Sequence, residues 1–232
     1  VTQLLLQHAQ RLIEGTVSSQ NDLARVSNGL RYLTEYFEED ASEDLSSAAA
    51  HKAYMQDLMR ELGVLSVLIT MLTVPFSALG SVAFHKLTDD KPLMPRSRLA
   101  AQLLWHAIRG NSLNCQIIFN NITSLELAAR KSIGIGRVLQ EVFREVQVDT
   151  AQMDFWIDLL HKARKDDYAS GAMILKLLHA FCFRAARPIV ANQNIILLKT
   201  VLAPESDMLE HVRVTPRDPD GRARADESAG LR

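Results

Sequence analysis

Apolar residues recur three and four positions apart along most of the chain. Leu23, Val26, Leu30, Leu33 and Phe37 mark one face of a helix. Leu99, Leu103, Ala107 and Ile108 mark another, with Pro95 and Ser97 ahead of it and Gly110 behind it as start and stop signals. Thr150 stands where a capping residue belongs, before a helix over Ala151–Arg164 whose buried face carries Met153, Trp156, Leu160 and Ala163. Met173, Leu177, Ala180 and Phe181 line a further helix before Pro188, and Val190–Leu202 makes the last one, stopped by Pro204. The same periodicity predicts helices over Leu4–Glu14, Leu45–Leu62, Val64–Thr73, Leu113–Phe119, Thr123–Lys131 and Arg137–Val146. No stretch alternates in the manner of a strand bounded by turn residues. The pattern therefore predicts an all-α fold, an armadillo-like helical-repeat array (an α-solenoid) of about ten helices joined by short links. No clean sequence repeat near forty residues accompanies it, so the array is an expectation about packing.

Several stretches interrupt the pattern. Glu35, Glu38, Glu39, Asp40, Glu43 and Asp44 gather acids between two helices and read as a solvated loop or helix end. A calcium loop would need oxygens at alternating positions and a glycine at the bend, which this stretch lacks. Ser77–Arg98, with Gly80, Pro92 and Pro95, reads as a long loop. Gly63 to Phe84 carries no charged residue, which is long enough to cross a bilayer. Pro75, Ser77, Gly80 and Ser81 break it, so a buried helix followed by a loop is expected instead. Residues 1–204 are thus assigned to one helical domain and residues 205–232, rich in charge with Pro216, Pro219 and Gly221, to a disordered tail or linker.

Composition narrows the class. The 232 residues are 47% hydrophobic and 23% charged, which excludes a disordered chain, a collagen and a disulfide miniprotein. A net charge of -1 argues against a nucleic-acid binder. Ten glycines and seven prolines are too few for an all-β chain with many tight turns. Cys115 and Cys182 both fall in apolar helical patterns and read as small hydrophobes. The chain starts at Val1 without a signal core, so it reads as a piece of a longer chain or a processed product, and Asn121-Ile122-Thr123 as a chance sequon.

No catalytic constellation stands out. His8, His51, His85, His106, His161, His179 and His211 show no metal-ligand spacing, and His106 and His179 sit within apolar helices as core or groove histidines. Gly134-Ile135-Gly136 lacks the third glycine and the preceding strand of a dinucleotide turn, and reads as a link between helices with glycine supplying positive φ. No cofactor and no metal is expected, and the chain is not read as an enzyme. The remaining chemistry is basic. Arg60 ends a helix that also carries Lys52, Arg130, Lys131, Arg137 and Arg144 surround one link, and Arg164-Lys165 and Arg184/Arg187 close two other helices. Each can serve as the cation at a helix C-terminus, or together they can form an electropositive rim.

Leu58-Met59-Arg60-Glu61, followed by Val64-Leu65 and Val74-Pro75-Phe76, resembles the helix–helix–loop segment of the homology domain shared by inositol trisphosphate and ryanodine receptors, the RIH domain. Asn28–Glu35, Arg98–Arg109, Ile133-Gly134 with Val138-Leu139, Thr150–Lys165 and Met173–Val201 are similar to later and earlier pieces of that domain in the same order, over about residues 21–202. The chain looks nearer to the inositol trisphosphate receptor branch. The resemblance implies a cytosolic, armadillo-like regulatory domain of an intracellular calcium-release channel, relaying ligand-induced motion to a pore outside this chain. It implies neighbouring domains of a large channel subunit as partners, a homo-oligomeric channel, and a place on the cytosolic face of the endoplasmic reticulum or another calcium-storing organelle. It also implies an anionic ligand, an inositol phosphate, at an interdomain cleft. The family's three basic positions on its first binding helix fall on Ala53, Asp57 and Arg60, so Arg60 alone is kept as a ligand-binding candidate. The second ligand cluster falls at Ser112–Ile117, which carries no cation. Polyphosphate recognition needs several cations in one cleft, so direct inositol trisphosphate binding by this chain is not expected. The alternative reading is a free-standing helical-repeat adaptor that binds a protein or peptide.

Overall fold

A helix with no charged residue needs apolar neighbours on every side, and Val64–Thr73 is such a helix. In the computed structural model, which describes residues 1–16, 18–38, 45–76, 93–129, 133–163, 168–184 and 187–202, it lies at the centre of the core. Eleven α-helices occur among the described residues: α1 (Thr2–Glu14), α2 (Gln20–Glu38), α3 (Leu45–Glu61), α4 (Val64–Thr73), α5 (Leu93–Ile108), α6 (Ser112–Phe119), α7 (Ile122–Ala129), α8 (Ile135–Glu145), α9 (Thr150–Ala163), α10 (Tyr168–Phe181) and α11 (Val190–Thr200).

The helices stack layer on layer. α1 and α2 pack on α4 and α5, these pack on α7 and α8, α8 packs on α10, and α10 carries α9 and then α11. One cluster of buried residues runs from Leu5 to Phe181. This is an all-α array with repeat-like helix packing of the armadillo type. On α4, Val64, Leu65, Val67, Leu68, Ile69, Met71 and Leu72 are all buried. α8 is the opposite case, with Ile135, Val138, Leu139, Val142 and Phe143 turned inward and Arg137 and Arg144 exposed. Trp156, expected on the buried face of α9, is 2% exposed and meets the Phe143 ring edge-on at 6.0 Å between centroids.

Five expectations need correction, the first being His179, which is exposed on α10 and is not a core or groove histidine. The loop expected over Ser77–Arg98 does not extend to Arg98: α5 begins at Leu93 and holds Pro95 in its first turn, where a missing N–H costs no intrahelical bond. Thr150 does not cap α9. The Asp149 carboxylate one residue earlier accepts the Gln152 N–H at 2.8 Å, and Thr150 is already helical. A two-residue antiparallel pairing, Phe183–Arg184 with Arg187–Pro188, joins α10 to α11. Strands this short leave no visible alternation, and Pro188 biases Arg187 to an extended backbone. The glycines of the α7–α8 link divide their roles. Gly134 takes φ 93 at the helix start, as expected, but Gly136 lies inside α8, where a Cβ would stand 2.8 Å from Met173 Cγ. Its lack of a side chain lets α8 and α10 approach closely.

The apolar run from Gly63 enters the core as α4 and the turn Val74–Phe76, and its remainder from Ser77 lies outside the described residues. Among the described residues no single helix is long and apolar enough to cross a membrane. α3 and the α4 segment pass that test by length and composition only when joined, and they are bent 70° apart. The acidic stretch 39–44, the basic residues 130–131 and 164–165, and the tail 205–232 also lie outside the described residues.

Candidate functional site

The last carbonyls of α5 lie inside the protein, and helix-end carbonyls have no intrahelical partner. Two buried amides supply the missing donors. Gln56, 3% exposed on α3, donates from Nε2 to the carbonyls of His106 (2.9 Å) and Arg109 (3.0 Å). Asn114, fully buried on α6, donates from Nδ2 to the carbonyls of Ala107 (2.8 Å) and Gln56 (3.1 Å). The side chain of Asn111 accepts the Asn114 N–H at 3.1 Å and caps α6. Cys115 completes the seam, its Sγ–H donating to the Ile108 carbonyl at 3.4 Å. Burial pushes that thiol up to about 12, with Glu145 and Glu141 acting in the same direction. Burial also raises the Cys182 thiol. Both cysteines are free, and their surroundings make them packing groups.

Arg60 meets this seam from α3. Its Nη1 donates to Asp57 Oδ1 at 2.6 Å and to Asn114 Oδ1 at 3.2 Å, and its Nε donates to Glu61 Oε1 at 3.3 Å. The Asp57 hydrogen bond, ahead of the other contributions, raises the Arg60 pKa further. The structure therefore brings Asp57, Arg60 and the 112–117 segment together, with Ala53 exposed one turn back on α3. Carboxylates dominate that edge. Beside Asp57 and Glu61, Glu145 of α8 accepts the Ser112 hydroxyl at 2.8 Å, and Glu141 accepts the Gly110 N–H at 3.0 Å.

A second polar group lies around the C-terminal end of α5. Arg109 and Arg137 place their guanidinium carbons 4.9 and 4.2 Å from the Trp105 ring centroid. His106 stacks on Phe37 at 5.8 Å, and its Nε2 lies 3.3 Å from Glu38 Oε1. Burial lowers the His106 pKa against the opposing effect of Glu38. Burial also lowers the Lys52 pKa, and the Arg109 charge adds to the effect. The basic residues expected around the α7–α8 link do not act alike. Arg137 lies on Trp105, whereas Arg144 pairs with Glu141 at 3.6 Å. Arg184 donates to the Glu145 carbonyl at 3.2 Å. It lines a cavity of about 220 Å³ with Phe143, Val148, Phe181, Ile189 and Asn192. Asn192 also has a partner there, the Phe181 carbonyl at 2.9 Å, so Arg184 and Asn192 already serve the fold.

Among the described residues no group of three or more His, Cys, Asp and Glu side chains could hold a metal ion. Of the candidate residues, the sequence located Arg60 but gave no sign of Gln56 and Asn114, which hold its surroundings in place. The available hint was Gly110-Asn111-Ser112, a turn and cap signal next to Asn114.

The order of these helices can be set against known families. The family model of the RIH domain matches residues 27–214. The chain belongs to the RIH domain family. No curated protein matches it. An RIH domain is a non-catalytic module, and the site described above suits that class: its buried polar groups are spent on tying helices together. The chain is accordingly a regulatory or adaptor helical domain. The match covers both halves of the polar seam, α3 and the turn from α5 into α6.

Proposed function

We propose that this RIH domain is part of an intracellular calcium-release channel of the inositol trisphosphate receptor type and relays ligand-induced motion of neighbouring domains to a pore carried elsewhere in the subunit. The observation that carries this reading is the family match over residues 27–214. The packing supports a mechanical role. One continuous core joins α1 to α10, and the amides of Gln56 and Asn114 lock α3 to the α5–α6 turn. A close-packed array of this kind moves as a unit when a neighbour shifts. The partners are then the adjoining domains of a large, homo-oligomeric subunit, and the location is the cytosolic face of the endoplasmic reticulum or another calcium-storing membrane. Within the chain we take residues 1–204 as the helical domain and residues 205–232 as a tail or linker.

Arg60 is the position we assign to the ligand edge. Its guanidinium is held by Asp57, Glu61 and Asn114, so an inositol phosphate would have to displace two carboxylates to reach it. Direct inositol trisphosphate binding by this chain alone is not part of the proposal. The lost basic positions favour the second reading, an adaptor that works through protein contacts without a channel.

The test is the apparent mass and membrane partition of the endogenous protein, followed with an antibody to this domain. A band far above 25.9 kDa in the membrane pellet supports the channel domain. A band near that mass outside the pellet overturns it in favour of the adaptor.

A further inference from the structure

We propose that the surface around Trp105 docks an acidic segment of a protein partner, with Lys52, Arg109 and Arg137 as its cationic contacts. The argument begins from charges that the fold leaves over. Among the described residues the carboxylates beside this surface already have partners: Glu38 accepts from Gln102 at 3.2 Å and lies against His106, and Glu141 accepts the Gly110 N–H and pairs with Arg144. Among the described residues Lys52, Arg109 and Arg137 make no ion pair. Lys52 is half-buried, and it feels the Arg109 charge as a repulsion that Glu141 only partly offsets. Packing like charges together is unfavourable until an anion arrives.

The geometry also prepares the cations for a partner. Both guanidinium groups lie over the same indole, which gathers two planar cations suited to carboxylates in one place. Trp105 is half-buried and Arg109 and Arg137 are exposed. A single small anion here would make a few solvent-screened pairs, each worth little. An acidic segment with an apolar residue engages all three cations and covers the indole as well, which matches the aromatic and arginine anchors of protein interfaces. Nucleic acid fits less well, because three cations around one indole make no stripe for a phosphate backbone to follow, and the chain carries a net charge of -1.

The inference goes beyond the channel assignment, since the surface serves a channel domain and an adaptor alike. Its failure would leave the membrane-partition result untouched.

The experiment uses the full 232-residue chain and, as the probe, a synthetic glutamate-rich peptide with a central leucine. Calorimetry follows binding, and Trp105 emission reports contact at the site. Binding is expected at low salt, weakening at least about tenfold between roughly 50 and 300 mM salt. A loss of similar size is expected in Arg109→Gln/Arg137→Gln, a smaller one in Lys52→Gln and none in Arg25→Gln, whose residue lies on α2. The emission change should vanish in Trp105→Phe, where Trp156 remains buried as a silent reference. Should the double variant unfold, Arg109→Gln alone serves, because that side chain is exposed. No binding at low salt, or equal binding by the Arg→Gln variants, overturns the proposal. Pyrophosphate binding at the same residues and displacing the peptide at equal or lower concentration also overturns it, in favour of a small-anion site.

Discussion

The interior around α4 and α8 and the seam where α3 meets α6 both bury their central side chains, yet they are held by different forces. Leu68, Leu72, Val138 and Leu139 are fully buried among other apolar side chains. Gln56 and Asn114 are buried as deeply, at 3% and 0% exposure, but each is fixed by hydrogen bonds to carbonyls of other helices. Apolar packing is non-directional and tolerates replacement by side chains of similar volume. A buried amide network has one workable arrangement, and losing a donor strands its acceptors. The array is therefore elastic in composition at its centre and exacting at its seam.

The comparison is tested most strongly at its apolar extreme. Trp156→Ala removes a buried ring in contact with Phe143 and should cost about 3–5 kcal/mol, read as a lowered urea midpoint. A near-zero change would mean that α9 does not bury that face. At the seam, Asn114→Ala removes the side-chain donor from the Ala107 carbonyl and the second donor from the Gln56 carbonyl, and should cost about 2–3 kcal/mol in the same measurement. The sharpening control is Leu139→Met, which keeps volume in the apolar interior and should cost under about 1.5 kcal/mol. If Leu139→Met proved the more damaging of the two, the contrast between the regions would collapse.

Smaller effects concern the rim of the seam. Burial lowers the His106 pKa below the ordinary 6.5. Well above 6.5 the ring is uncharged whether the chain is folded or unfolded. As pH falls below 6.5 the unfolded chain takes up a proton that the folded one resists, so stability declines until pH passes the lowered folded value. His106→Gln should remove that share of the decline when urea midpoints at about pH 7.5 and about pH 5.5 are compared. Glu38, Lys52 and Arg109 face the same ring and set the size of the effect. A smaller change than at Asn114 is expected for Arg60→Gln, because two of its three partners, Asp57 and Glu61, are exposed to water and only Asn114 Oδ1 is buried. Its circular dichroism should match the parent, and its midpoint should move far less than that of Asn114→Ala. An unfolded Arg60→Gln would make the residue structural and remove it from any ligand edge.

The parts of this fold that were legible in the sequence are those whose signal is local. The stripe from Leu23 to Phe37, the uncharged α4 and the face of α9 with Met153, Trp156 and Leu160 follow from periodicity alone. Boundaries were less legible where one residue carries two meanings. Pro95 reads as a loop marker but is also welcome in a first helical turn, and Thr150 competes with Asp149 for the role of cap. Gly136 reads as a link residue, because nothing nearby in the sequence announces Met173 against it. The seam was the least legible part. Gln56 and Asn114 lie 58 positions apart and neither belongs to a motif. Their meaning comes from the end of a third helix, which only packing brings between them. Arg60 was found by its position, but its neutralising neighbours became apparent only once α3 and α6 were side by side.

α11 packs on α9 and α10 with one side, through Ile195 and Ile196, and leaves Val190, Leu197, Leu198 and Leu202 between 46% and 60% exposed on the other. In a stacked array cooperativity is supplied by nearest neighbours, and among the described residues α11 has them on one side alone. Its backbone hydrogen bonds should therefore exchange with solvent deuterium through local opening, well before those of α4 and α8, which report global unfolding. Anything that covered that stripe would slow the exchange of α11 first and change the core rates least, so the amides of Asn194 to Thr200 form a built-in gauge of occupancy at this edge.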